Sequence, residues 1–153
     1  MEPRGAGTAS QIEFATFFVG DVLMGVDIRQ VREINRELLI SEVPQAPNCV
    51  RGVVNLRGDV VTVLDLRVVL GMEPIEIGPR HRCVVVDDAS ERIGLLVDRI
   101  SDVVTAHPEA FEPPPANVGG VDGRFLRSVY KLDSELLVVL DVMECLATDE
   151  EQS

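Results

Sequence analysis

Aromatic residues are nearly missing from this sequence: they make up 4% of 153 residues, and tryptophan is absent. A core must therefore be assembled from Val, Leu and Ile, and the hydrophobic fraction of 46% supplies enough of them for a globular fold. Their β-branched share favours sheet over helix. Paired cysteines are missing too. Cys49, Cys83 and Cys145 are odd in number and widely spaced, no CxxC occurs, and His81 and His107 stand far from any metal-like spacing. These features read as reduced thiols buried in apolar segments, with no metal and no cofactor. There is no basic cluster, and the net charge is −12, which excludes the positive stripe that a nucleic-acid backbone selects. No apolar run approaches the about 18 residues of a membrane span. The opening MEPRGAGTASQ has no apolar leader. The expectation is a cytoplasmic protein without direct membrane insertion.

Catalytic signatures are also lacking. GxSxG, HExxH, the phosphate-binding GxxxxGK and GxGxxG do not occur. Asp65 and Asp141 recur at matching places in apolar segments, but a catalytic carboxylate needs a partner within reach. Capping a strand end or a following helix is the simpler role for both. No catalytic residue is assigned.

What the chain does contain is itself, twice. Shifted by 76 positions, RGVVNLRGDVVTVLDLRVVLG (51–71) meets RSVYKLDSELLVVLDVMECL: Arg51 falls on Arg127, Leu56 on Leu132, Asp65 on Asp141 and Leu70 on Leu146. Shifted by 69, MGVDIRQVREI meets IGLLVDRISDV, with Gly25 on Gly94 and Glu33 on Asp102. Two collinear matches describe one unit of about 70 residues used twice.

Each unit reads as a strand, a polar turn and a second strand, then a variable segment and a second hairpin. The first turns fall at Gly20-Asp21 and at Asp88 to Glu91; the second at Gly58-Asp59 and Asp133-Ser134. Such few strands per unit favour a small barrel, which removes sheet edges. Helical pieces are expected at QAPNCVRGVVN and at LRVVLG, the latter ended by Gly71. FEPPPANVGGVDG (111–123) reads as an irregular loop. The first barrel is expected mostly over 11–72 and the second mostly over 80–147, with strand exchange between them allowed. Residues 1–10 and the acidic 148–153 are expected to be flexible ends.

One feature resists burial. Arg57 puts a permanent charge beside a glycine in an apolar run, and Glu33 lies at a strand edge that a compact barrel would bring near it. An Arg57–Glu33 pair is expected, although an exposed pair contributes only about 0–1 kcal/mol. A fixed charge beside apolar surface serves orientation of a partner better than it serves stability. A solvated arginine without a partner is the alternative.

The stretch GVVNLRGDVVTVLDLRVVLG resembles the signature of the CheW family of chemotaxis coupling proteins, and the resemblance runs from about Ile12 to Ala147. It implies an all-β fold with short helices: two five-stranded Src-homology-3-like barrels packed side by side. It also implies a non-catalytic adaptor that links the cytoplasmic tips of chemoreceptors to the regulatory domain of the histidine kinase CheA, recruited to membrane receptor arrays. The positions matching the family's receptor-binding groove are Val31, Glu33, Ile34, Asn55 and Arg57. The kinase contacts are not assigned residue by residue; the loop Pro113, Pro114, Pro115, Ala116 and Asn117 is the candidate. Two departures stand out: Ser128 where the family usually has glycine, and Tyr130 where a small residue is common. Other readings are a CheW-like regulatory module of a non-motility pathway, a small enzyme with a cleft between the barrels, and a self-assembling structural protein.

Overall fold

The computed structural model describes residues 11–88 and 91–151. The first half contains β1 (Ile12–Val19), β2 (Val22–Asp27), β3 (Val31–Asn35), β4 (Val50–Leu56), β5 (Asp59–Asp65) and the single-turn helix α1 (Leu66–Val69). The second half contains β6 (Arg82–Asp88), β7 (Glu91–Val97), β8 (Arg99–Ile100) and β9 (Val104–Ala106). It continues with β10 (Asn117–Val118), β11 (Val121–Asp122), β12 (Leu126–Lys131), β13 (Leu136–Leu140) and α2 (Val142–Glu151).

Two five-strand paths result: β9-β1-β2-β13-β12, with β8 also on β1, and β3-β6-β7-β5-β4. Each repeat has given its opening hairpin to the other. Residues 12–27 lie among strands drawn from 99–140, and residues 82–97 among strands drawn from 31–65. The sheets therefore divide the chain differently from the 11–72 and 80–147 partition. The cause is the short link after each hairpin. Between β2 and β3, the Asp27 side chain accepts a bond from the Arg29 N–H at 2.9 Å and caps a 3-10 turn that turns the chain out of the first sheet. Between β7 and β8 the link is Asp98 alone.

The duplication survives in the register. β13 runs parallel to β2 with Val139 opposite Gly25, and β5 runs parallel to β7 with Val63 opposite Gly94. The two offsets carry one pair onto the other. One isolated two-bond bridge lies against an edge strand of each sheet: Ser41 pairs with Val53 of β4 and Glu112 with Val129 of β12, all four N···O distances 2.8–2.9 Å.

Why the strands are apolar on consecutive residues follows from where their faces go. Val54, Val61, Val63, Cys83, Val85 and Leu96 fill the inside of one curled sheet. Phe14, Leu23, Ala106, Leu137 and Val139 fill the other. The alternate residues, among them Phe17, Met24, Leu64, Val84, Leu95 and Val138, meet in a larger core between the sheets. A strand buried on both faces reads as a continuous run, with no polar alternation. Phe14, Phe111 and Tyr130 stack edge to face, 5.8 and 5.4 Å between centroids, so Tyr130 packs against the core of its own sheet.

Several expectations change. LRVVLG is helical as expected, with Gly71 at φ +86° after it. QAPNCVRGVVN is not: Val50 N–H bonds to Pro47 O in a turn, and β4 follows. Gly52 lets Ser41 approach the strand, because a Cβ there would lie 2.2 Å from the Ser41 carbonyl oxygen. The segment 111–123 is partly regular, since NVGG forms the turn of the β10–β11 hairpin. The acidic tail is helical as far as Glu151 because Val142, Cys145 and Leu146 put one apolar stripe on the core. Residues 1–10, expected to be flexible, lie outside the described residues, as do the central residues 89 and 90 of the Asp88–Glu91 turn. Gly20 takes φ +61° in the β1–β2 turn, as that turn demands.

Asp98 ties the parts together. Its carboxylate accepts from Gly20 N–H (2.7 Å) and from Arg67 Nε and Nη2 (3.0 and 2.7 Å), so it joins the tip of one sheet's hairpin to the helix that follows the other sheet. His81 Nε2 lies 3.8 Å away, its Nδ1 accepting from Gly78 N–H. Burial pushes the Asp98 carboxyl up, but the bonds from Arg67 and Gly20 outweigh it and hold the group below the usual carboxylate range. A depressed folded value stabilises above the unfolded value, and that contribution disappears as pH falls through the folded one.

Two outcomes follow for stability. Asp98→Asn is expected to cost about 1–3 kcal/mol in urea unfolding at pH 7, as for other hydrogen bonds to charged groups. The gap to the parent should narrow only below about pH 4, where carboxylates protonate; a gap unchanged at pH 3 would remove the charge from the explanation. In the second sheet, a Cβ on Gly94 would meet Cys83 Sγ at 2.5 Å, whereas one on the matching Gly25 meets Leu137 Cδ1 at 3.2 Å. Gly94→Ala should lose about 1–3 kcal/mol through overpacking and Gly25→Ala less, which thermal unfolding of the two variants would rank.

Candidate functional site: the mouth of the second sheet

β4 and β5 are joined by Arg57 and Gly58, because Leu56 pairs with Asp59; the turn sits one residue earlier than the expected Gly58-Asp59. Both turn residues have positive φ, +54° and +89°, the requirement of a type I′ hairpin. Asn55 fixes the turn from below, its Oδ1 accepting from Gly58 N–H at 3.0 Å. The β10–β11 hairpin uses the same device. Asn117 Oδ1 accepts from Gly120 N–H at 3.0 Å, with Gly119 and Gly120 at +57° and +89°. There glycine occupies the first left-handed position. A side chain in that conformation costs about 1–2 kcal/mol, so Arg57 stands where glycine would be less strained.

The guanidinium reaches across the sheet's two edges. Arg57 Nη1 donates to Glu33 Oε2 at 2.9 Å, making the pair expected from the sequence. The arginine side chain remains 80% exposed and that of Glu33 25%, so the pair presents its charge outward. Together they line a cavity of about 390 Å³ whose apolar members are Val31, Leu56 and Val61. Val60, 69% exposed, lies opposite Asn55 beside the turn, and Ile34, 43% exposed, follows Glu33 on β3. A fixed charge thus stands next to accessible apolar side chains.

Of the five sequence-chosen positions, Val31, Glu33 and Arg57 converge on the cavity. Ile34 sits on the outer part of the same strand, and Asn55 is occupied in the turn. Arg32, Asp59, Asp87 and Arg92 were not anticipated, yet they line the same cavity. Arg32 and Glu33 are consecutive and reach one rim because the β3–β6 register shifts between Val31 and Glu33, and such a bulge re-aims side chains. Nothing in the residue spacing announces the bulge.

The remaining candidates are accounted for differently. Pro113, Pro115, Ala116 and Asn117 are exposed and Pro114 half-buried; Ala116 O accepts from Gly123 N–H at 2.7 Å, and Asn117 caps its turn. Ser128 lines a second cavity of about 380 Å³ with Phe14, Phe111 and Arg127. Asp65 is buried, pairs with Arg51 at 2.8 Å and accepts from Arg67 N–H at 3.1 Å as the cap of α1. Asp141 accepts from Glu144 N–H at 3.2 Å at the start of α2. Both acids of the hypothetical cleft are engaged in capping. All three cysteines are buried and unbridged. Burial, with Glu33 nearby, pushes the Cys83 thiol up to about 12, and burial does the same for Cys145; such thiols are inert. Among the described residues no group of His, Cys, Asp and Glu could hold a metal ion, and no helix is long and apolar enough to cross a membrane.

Comparison with known proteins agrees with this geometry. Residues 13–150 match the family model described as a CheW-like domain. The chain is 32% identical over 139 residues to a probable chemotaxis protein CheW of Rhizobium etli, covering 91% of this chain and 89% of the relative. It is 32% identical over 141 residues to a chemotaxis protein CheW of Rhizobium meliloti, covering 92% and 91%. Among solved structures, the scaffolding protein TtCheW from Thermoanaerobacter tengcongensis superposes with a TM-score of 0.79 at 27% identity, over 86% of this chain and 84% of that one. With the two sheets, their short helices and the NLRG turn in place, this chain belongs to the CheW family of chemotaxis scaffold proteins.

Proposed function

We propose that this protein is a non-catalytic adaptor that couples the cytoplasmic tips of chemoreceptors to the histidine kinase CheA, working in the cytoplasm at a membrane receptor array. The observation that carries the receptor half is Arg57. It holds a left-handed backbone position that glycine fills in the sister hairpin, and its charge is turned outward beside Val60 and the cavity that Val31 lines. Strain kept at an exposed position marks a residue retained for a contact outside the molecule. Fold stability does not require it, because one exposed ion pair is worth about 0–1 kcal/mol.

The receptor would lay apolar side chains on Val31, Ile34 and Val60, with Arg57 and Glu33 setting orientation. Family membership carries the kinase half, and the loop Pro113–Asn117 is its candidate contact. The occupied states of Asp65 and Asp141 leave the enzyme reading without a free carboxylate pair.

The experiment is calorimetric titration with a chemoreceptor cytoplasmic-tip fragment. Arg57→Gly should leave unfolding stability within about 1 kcal/mol of the parent, since relief of strain offsets the lost pair. The same variant should weaken receptor binding by about tenfold or more, roughly 1.4 kcal/mol. Undiminished affinity would sink the assignment of Arg57 to the receptor. Val31→Asp should also lose binding while its circular-dichroism spectrum stays that of the parent; a collapsed spectrum would instead class Val31 as core.

A further inference from the structure

The rim of the cavity carries a circuit of charges that the family reading does not call for. Starting at the turn, Arg57 bonds Glu33 at 2.9 Å. The next residue back on β3, Arg32, lies 3.3 Å from Asp87 on β6. Asp87 also accepts from Arg92 Nε on β7 at 3.1 Å, and Arg92 Nη1 donates to Asp59 at 3.2 Å. Asp59 opens β5 directly after the turn, two residues from Arg57. The circuit therefore begins and ends at the same hairpin, passing over β3, β6, β7 and β5.

We propose that Asp87 is a positioning residue for the Arg57 turn, acting by holding Arg32 away from Glu33; the inference rests on the reading of that turn as the receptor contact. The geometry sets up a competition. The bulge between Val31 and Glu33 places Arg32 and Glu33 on one rim, so Arg32 lines the same cavity as the carboxylate that Arg57 uses. Glu33 serves Arg57 because Arg32 is engaged elsewhere. Asp87 is the acid between two guanidiniums, Arg32 and Arg92, and each side chain shared in this way is ordered once for two contacts. A network of this kind does what an isolated surface pair does not. With Asp87 neutral, Arg92 keeps Asp59, but Arg32 loses its anionic partner and becomes a rival for Glu33. Arg57, already 80% exposed and on strained backbone, would then lose its only side-chain anchor shown on the rim. Binding groups are held in productive geometry by the residues behind them, and here Asp87 is the residue behind.

The test uses the full chain and two readouts. The hydrogen exchange of the Gly58 amide, which bonds to Asn55, is followed by NMR and reports the turn. Calorimetric affinity for the receptor-tip fragment reports the contact. Asp87→Asn should speed Gly58 exchange and lower the affinity roughly fivefold, about 1 kcal/mol. Removing the rival in the same background, Asp87→Asn with Arg32→Gln, should restore both. Unchanged exchange and affinity in Asp87→Asn would overturn the proposal. So would a loss that Arg32→Gln fails to repair, because it would mean general damage to the rim. If the parent itself does not bind the fragment, the receptor reading fails, and the Gly58 rates in the single and double variants still decide whether Asp87 guards the pair.

Discussion

The structure depends on the reciprocal exchange of hairpins between its two repeats. Because β1–β2 belongs to one sheet and β6–β7 to the other, each repeat completes its partner, and the parallel pairs β2–β13 and β5–β7 exist only in the joined molecule. Residues from the other faces of those hairpins make the large core between the sheets, where Phe17, Met24, Leu64 and Leu95 are fully buried. Burial of apolar area at about 25 cal/mol per Å² is the dominant favourable term, and here most strands contribute it from two faces. A chain with 4% aromatics needs such an arrangement. Small branched side chains bury less each, so more of them must be covered.

Electrostatics then divides into two kinds. Asp98 sits where the exchange brings one sheet's turn against the other sheet's helix, with 16% of its side chain exposed and that of Arg67 19%. Three N–H groups satisfy its carboxylate there, and its role is to fix the sheets relative to one another. The rim charges on Arg57, Arg32 and Asp59 are half to largely exposed. In water such pairs are screened and individually weak. They are suited to recognition, where orientation and encounter matter more than net stabilisation.

Much of this was legible in the chain, and what was not has a common cause. The repeat at offsets 76 and 69 named the pairs that later share a register, and the Glu33–Arg57 pair followed from strand edges in a compact barrel. The thiols, the two capping aspartates and the α1 terminus at Gly71 were readable from residue type alone. The turn position at Arg57-Gly58 was not, because hydrophobic period cannot report which residue takes positive φ. The β3 bulge, and with it Arg32 and Asp87, was hidden for a similar reason: it is a property of pairing between strands 50 residues apart in sequence, such as Ile34 and Val84. The helix α2 was not expected, although offset 76 places Leu66–Val69 on 142–145; the acidic composition beyond it argued for a loose tail instead.

The contrast between the two I′ turns explains why a glycine-rich motif carries an arginine at all. NVGG and NLRG share the asparagine that bonds the fourth residue's N–H, and they share the glycine at the second left-handed position. They differ where NVGG has Gly119 and NLRG has Arg57. In NVGG the turn only reverses the chain, and Gly119 packs so close to Val22 that a Cβ would come within 2.9 Å of it. The second glycines do not separate the turns, since a Cβ on Gly58 or on Gly120 would meet nothing within 4 Å; at the first position the Arg57 side chain is 80% exposed. A projecting turn can hold a long charged side chain clear of the surface, and the strain of φ +54° is the energetic counterpart of that reach. Glu33 limits how far the guanidinium wanders, and the apolar side chains of Val31 and Val60 set what it stands beside. The arginine in the apolar run is therefore a consequence of the turn: Val54, Val61 and Val63 of the flanking strands are buried on one face, and the charge of Arg57 sits where the chain reverses beside the exposed Val60.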